Sequence, residues 1–372
     1  MNSASIKLAE ALKKDNIEGM IITSAANIRY FSGFASEDGW VFVGGEGTAL
    51  ITDGRYWDDV EAKLPDLELV KYVAARDGSF SLCLAGWLKS KGVSGRLAFE
   101  GDTISLADFR SIERDLQAAG VVKEFVNKSD LISDLRLIKT EAELRGIAKA
   151  AAAADEAWRM ALPAFQEGVS EADFCAELEY RMQKCGARKP SFDTIVASGI
   201  NGAYPHATVT DRIIKKGELV TVDFGCIVDG WCSDITRTVW LGELDEKSLE
   251  IWRTVRRAHD AALESVRAGM GCADLDKIAR DIITEAGYGQ YFNHSLGHGV
   301  GLAVHERPGL RNTSAEILAP GMTATIEPGI YVPGFGGCRI EDLVYVAAGG
   351  YERLSHAPYQ VPGQAHPLEA YK

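Results

Sequence analysis

Four acidic residues in the second half of the chain, Asp223, Asp234, Glu327 and Glu341, stand inside strand-like apolar sequence, where a carboxylate is costly unless a cation or a shared proton neutralises it. The first two belong to E-L-V-T-V-D-F-G-C-I-V-D-G-W-C-S-D-I-T-R-T-V-W-L, Glu218 to Leu241, in which Asp229-Gly230 reads as a hairpin turn. That turn pairs Val228 with Trp231 and sets Asp223 opposite Thr236 and Gly225 opposite Asp234. The two aspartates then share one face as diagonal neighbours, about 7 to 8 Å apart at Cα. Asn293 to Pro308, N-H-S-L-G-H-G-V-G-L-A-V-H-E-R-P, supplies His294, His298 and His305. His294 and His298 have helical zinc-site spacing, but Gly297, Gly299 and Gly301 disfavour a helix and no Glu follows His294 as H-E-x-x-H requires. Glu327 lies in T-I-E-P-G-I-Y and Glu341 in C-R-I-E-D-L-V-Y-V, two strand-like runs joined by a Gly/Pro-rich loop. Four negative charges match two divalent cations, with a histidine completing the set. Oxygen ligands with one nitrogen suit Mn(II), Co(II), Zn(II) or Fe(II), and the chemistry implied is metal-assisted hydrolysis.

The elements that must position these groups fall into two domains, as a chain of 372 residues suggests. The first third alternates a helix near Ile6 to Lys14 with strands near Met20 to Thr23, Val41 to Val43 and Thr48 to Thr52, and closes on a strand Val121 to Val126. It reads as an α/β domain over residues 1–133. Polar breakers in Asn127 to Ser133 and a linker over residues 134–140 precede a new helical pattern, and residues 141–372 form the second domain. Within it, Gly168, Ala172, Asp173, Phe174 and Gly186 recur at constant spacing as Gly269, Ala273, Asp274, Leu275 and Gly287. Each copy enters an amphipathic helix that stops at a glycine, which points to two related half-domains.

A net charge of −13, from 40 Lys+Arg against 53 Asp+Glu and without a basic cluster, argues against nucleic acid. Hydrophobic residues at 46% and charged residues at 25% fit a globular protein, and no apolar run reaches the roughly 18 residues that span a bilayer. Lys7, Glu10, Lys13, Lys14 and Asp15 make Met1 to Gly19 an amphipathic helix and not a signal peptide, so the mature chain is expected to start near Met1. Seven scattered cysteines without a C-x-x-C pair suit reduced thiols in a cytoplasmic protein, Cys226 and Cys232 being packing residues.

The combined motifs resemble the pita-bread metallopeptidases, in their aminopeptidase P and prolidase branch, over essentially the whole chain. N-I-R-Y-F-S-G-F at Asn27 to Phe34 and L-I-T-D-G-R-Y at Leu50 to Tyr56 resemble that branch's leading domain, and Asp134 to Lys139 its linker. The resemblance implies a creatinase-like α/β domain followed by a pita-bread catalytic domain with a pseudo-twofold repeat. It implies Asp223, Asp234, His298, Glu327 and Glu341 as metal ligands, Asp234 and Glu341 bridging two ions per chain, with Mn(II) first and Co(II) or Zn(II) as alternatives. His206 in A-S-G-I-N-G-A-Y-P-H and His305 match histidines beside the substrate, Arg339 matches a supporting arginine and is counted with them among the substrate-binding residues, and Phe192 is a candidate for the pocket wall. Glu327, His305 and His206 would carry proton transfer and oxyanion stabilisation. The chain departs from the family at Leu343, where threonine is common, and at Ala207, where glycine is frequent. The implied reaction is cleavage of the Xaa-Pro bond at a peptide's N-terminus by a cytoplasmic homodimeric aminopeptidase, without membrane partners. The alternatives are a prolidase restricted to Xaa-Pro dipeptides and a pita-bread binding module without catalysis.

Overall fold

Short apolar runs in the first third lay down six strands, seen in a computed structural model that describes residues 3–45 and 47–371. The chain divides into two units after Arg136. In the first unit β1 (Gly19–Ile22), β2 (Gly39–Gly44), β3 (Gly47–Asp53), β4 (Glu68–Tyr72), β5 (Arg96–Phe99) and β6 (Glu124–Asn127) form one mixed sheet in the order β4-β3-β2-β1-β5-β6. β1 is buried on both faces. Met20 and Ile22 join Leu8, Leu12 and Phe31 on one side, while Ile21 meets Leu84, Leu88 and Leu116 on the other, following the two-residue period of a strand. The buried Glu100 carboxylate accepts from the backbone of Thr23 and Ser24, from the Ser24 hydroxyl and from Asn27, which places Asn27 of the N-I-R-Y motif in a structural role.

Two local readings are corrected. Val121 and Val122 are buried but precede the last strand, which begins at Glu124. Residues read as polar breakers and linker form a helix, Ser129–Leu137. Leu131, Ile132 and Leu135 recur on one helical face and pack into the first unit's core, so tertiary burial outweighs the low propensity of Ser129, Asp130, Ser133 and Asp134.

In the second unit Thr140 caps the helix Glu141–Ala161 through a reciprocal capping box with Glu143. The sequence echo is a structural repeat. Helices Glu171–Lys184 and Cys272–Glu285 each pack on a preceding long helix, Glu141–Ala161 and Glu246–Ser265 respectively. Each stops at a left-handed glycine, Gly186 (φ 96°) or Gly287 (φ 86°). Each start is tied to a later loop segment in the same way, beside an isolated antiparallel bridge (Ser170 with Ile213, Gly271 with Ile317): Glu171 N–H donates to Arg212 O at 2.9 Å, and Cys272 N–H to Glu316 O at 2.9 Å. Behind each helix pair stands a three-stranded antiparallel sheet, Ile195–Ser198, Val220–Phe224 and Ile235–Val239 in the first half, Thr323–Ile326, Asp342–Ala347 and Gly350–Arg353 in the second. Trp158, Phe174 and Phe224 fill one half's core, and Trp252, Leu275 and Ile326 the other's. No helix among the described residues is long and apolar enough to cross a membrane.

Candidate metal centre

The Asp229-Gly230 turn has both residues left-handed, at φ 49° and 85°, as a two-residue hairpin requires. Val228 pairs with Trp231, and past a break the ladder resumes in the same register with Asp223 opposite Thr236. Asp234 occupies the break, facing Gly225. A Cβ at Gly225 would come within 2.0 Å of Ser233 O, so only glycine lets the two backbones close here.

Glu327 and Glu341 occupy a second break. Ile326 pairs with Asp342, and Gly329 with Arg339, but between these pairs only a long bond from Ile340 N–H to Pro328 O (3.5 Å) crosses the hairpin, and the N–H groups of both glutamates leave it. Glu327 N–H donates to Leu296 O at 2.8 Å, and Glu341 N–H to Thr236 O at 3.1 Å on the opposite half's hairpin. Thr236 also donates its hydroxyl to Glu341 Oε2 at 2.7 Å. His298 stands on a short strand, Gly297–Gly299, and not on a helix. Gly297 allows that strand its approach, because a Cβ there would lie 2.0 Å from Thr325 O. The Thr325 hydroxyl accepts from His298 N–H and donates to Glu327 Oε1, each at 3.0 Å. His298 Nδ1 lies 3.1 Å from Gly299 O, which fixes its proton there and turns the Nε2 lone pair toward Asp234 (3.6 Å) and Glu327 (3.3 Å).

Ligand oxygens of Asp223, Asp234 and Glu341 lie within 4.8 Å of one another. Buried carboxylates elsewhere in this unit are differently treated: Glu171 accepts from Ser198 N and Oγ, Asn201 Nδ2, and Thr210 N and Oγ1. At the centre, Asp223 Oδ1 and Glu341 Oε1 are buried with no hydrogen-bond partner. Burial, reinforced by the neighbouring carboxylates, pushes Asp234 and Glu341 well above the usual range; burial lifts Glu327 to about 8, with Arg339 opposing and Asp223 reinforcing. Burial lowers the pKa of His298 and so keeps it neutral, as a metal ligand must be. Orphaned oxygens, mutually repelling carboxylates and an outward imidazole lone pair fit hard or borderline divalent cations.

A cavity of about 770 Å³ opens on this cluster, and Asp223, Asp234, His298, Glu327, Glu341, His206, His305, Arg339 and Phe192 all line it. The His305 ring stands 4.4 Å from that of His298, edge to face, and burial followed by the two neighbouring histidines lowers its pKa. Arg339, expected against the substrate, directs its donors inward instead: to Asp223 Oδ2 (2.5 Å), Tyr331 OH (2.6 Å), Pro205 O (3.1 Å) and Thr236 Oγ1 (3.1 Å). It orients Asp223 and is not spare for a ligand. Sequence reasoning missed Thr236, Thr325 and Tyr331. The signal available for the first was its cross-strand position opposite Asp223; for Tyr331, whose hydroxyl joins Arg339 to His294, there was none beyond its place in a strand.

Residues 145–348 match the model of metallopeptidase family M24, and residues 6–138 that of the creatinase/prolidase N-terminal domain. An Xaa-Pro dipeptidase of Pyrococcus horikoshii is 38% identical over 95% of this chain and 97% of its own length. The structure of an Xaa-Pro dipeptidase from Bacillus anthracis superposes with a TM-score of 0.90 at 38% identity, covering 96% of this chain and 98% of that one. That of an X-Pro aminopeptidase from Thermotoga maritima gives 0.88 at 32% identity, covering 96% and 99%.

Proposed function

The chain belongs to metallopeptidase family M24, and from that premise we propose that it is an Xaa-Pro dipeptidase, a prolidase, working with two divalent ions held by Asp223, Asp234, His298, Glu327 and Glu341. The reading moves from the aminopeptidase expected from sequence to its alternative because the dipeptidases of Pyrococcus horikoshii and Bacillus anthracis, at 38% identity, are nearer than the aminopeptidase of Thermotoga maritima at 32%. The observation that carries the metal assignment is the pair of buried, partnerless oxygens, Asp223 Oδ1 and Glu341 Oε1, at the centre of a carboxylate cluster. Bound there, two ions would supply Lewis acidity and bring the pKa of water toward neutrality.

The chain's own residues divide the remaining work. Glu327, its Oε1 held by Thr325, takes the proton of the attacking water. His305, neutral and with one ring N–H to donate, stabilises the oxyanion that develops on the scissile carbonyl. The leaving nitrogen belongs to proline and has no N–H, so the proton gathered by Glu327 must be delivered to it. His206 and Phe192 border the space left for the substrate. The test is hydrolysis with Mn(II), Co(II) or Zn(II) of an Xaa-Pro dipeptide beside the matching Xaa-Pro tripeptide. Preference for the dipeptide is the expected result. Equal cleavage of the tripeptide restores the aminopeptidase reading, and no cleavage of either leaves a binding module.

A further inference from the structure

Once the four ligand carboxylates are set against two divalent ions, the remaining ionic groups of the active-site cavity are unbalanced. Among the described residues its wall carries a single arginine or lysine, Arg339, which is committed to Asp223 and Tyr331, and two further carboxylates, Glu179 and Asp193. Among the described residues neither has a cationic partner: half-buried Glu179 meets only the Cys175 thiol (Sγ to Oε1, 3.8 Å), and the exposed Asp193 side chain has no hydrogen bond or ion pair. The same thiol lies 4.0 Å from Thr194 O, which brings the Glu179 helix and the Asp193-Thr194 segment to one stretch of wall. Thr194 is 5% exposed, and its hydroxyl has no hydrogen-bond partner. Two uncommitted carboxylates beside an unsatisfied hydroxyl make this stretch of wall rich in acceptors and negative in charge, which favours an ammonium or guanidinium over a neutral donor.

Resting on the prolidase reading, we propose that Glu179, Asp193 and Thr194 form a subsite selecting a lysine or arginine in front of the proline. The carboxylate end of an Xaa-Pro dipeptide would be repelled by this wall, so the wall faces the other residue. Distance separates that residue's side chain from its α-ammonium. Ile195 stands directly opposite Asp223 in the strand register, and Asp193 lies two residues further on, about 6 to 7 Å along an extended chain. The α-ammonium is one bond from the Cα next to the scissile carbonyl and stays by the metal cluster, whereas four methylenes carry a lysine ammonium across that interval. Phe192, Ile195 and Val209 line the way with apolar surface for the stem.

The experiment compares kcat/KM for lysyl-proline and norleucyl-proline, which share a stem and differ in the charge, in the metal-loaded enzyme and in Glu179→Gln, Asp193→Asn and Glu179→Lys. The expected result is a lysyl preference of about five- to tenfold, carried by KM, the gain of partly exposed ion pairs. It should shrink in each neutral variant and reverse in favour of glutamyl-proline in Glu179→Lys. Hydrolysis of both dipeptides without preference, or equal losses on both in the variants, overturns the subsite and leaves the prolidase reading standing. Hydrolysis of neither overturns both.

Discussion

The two halves of the catalytic unit share a helix pair and a three-stranded sheet, yet they deliver their carboxylates differently. In the first half the hairpin is closed by Asp229-Gly230, and Asp223 remains inside the ladder while Asp234 falls in its break. In the second half both Glu327 and Glu341 fall in the break, and their N–H groups bond to Leu296 and Thr236 instead of across the hairpin. The first half is therefore a self-contained support with short aspartates. The second supplies longer glutamates and depends on its neighbour to hold one of them. A broken ladder is where a strand can hand its backbone bonds to another element, and here both breaks meet at one cluster.

The comparison breaks most sharply if one bridging candidate is removed from each half. Asp234→Ala and Glu341→Ala should each abolish turnover, a loss of more than about a thousandfold, and lower metal content below two ions per chain, measured by elemental analysis. Retention of two ions and full activity by either would show that its half is not a partner in the site. His305→Ala should cost about a hundredfold to a thousandfold in kcat with both ions retained. If metal is lost instead, His305 and His298 have exchanged roles. The dependence of the second half on the first is tested by Thr236→Val, which removes the hydroxyl bond to Glu341 and should weaken metal affinity about ten- to a hundredfold. An unchanged metal titration would mean that Glu341 holds its own position.

The smallest effect concerns pH. In protein freed of ions by chelation, Glu327 has its pKa raised to about 8 from an ordinary 4.5, and Asp234 and Glu341 shift the same way. A raised carboxyl pKa stabilises the fold fully below the unfolded value and loses that contribution as pH climbs through the folded value. Melting temperature of the chelated protein should therefore fall by a few degrees between about pH 4.5 and 8. Divalent ions compete with those protons and bind more weakly where the carboxyls are protonated, so at one fixed Mn(II) concentration, chosen to stabilise by about 2.7 kcal/mol per independent site at pH 8, the stabilisation should be smaller at pH 6. Equal shifts at both values would detach the ions from these carboxylates.

How much of this could be read from sequence follows from how local the determinants are. The first hairpin's register was legible down to Asp223 opposite Thr236, because Asp-Gly fixes the turn and a strand's period fixes the rest. Glu327 and Glu341 were visible as misplaced charges, but their pairing was not, since the connecting segment Pro333–Phe335 lacks so strict a turn and the break follows from contacts to Leu296 and Thr236 far away in sequence. The same limit hid Thr325. The helix Ser129–Leu137 was lost for the opposite reason: its polar residues spoke locally for a loop, and only the core that receives Ile132 decides against them. Arg339 was expected beside the substrate, and its turn inward depends on Tyr331 and Pro205, which no spacing rule connects to it.

The bond from Glu341 N–H to Thr236 O joins the two halves at the reaction centre itself. If the chain were cut in the connection between Val239 and Glu246, one fragment would keep both aspartates and the other His298 and both glutamates, so neither would own a complete coordination sphere. Ion capture would then register reassembly of the fragments, making the centre an internal gauge of whether the halves have found each other.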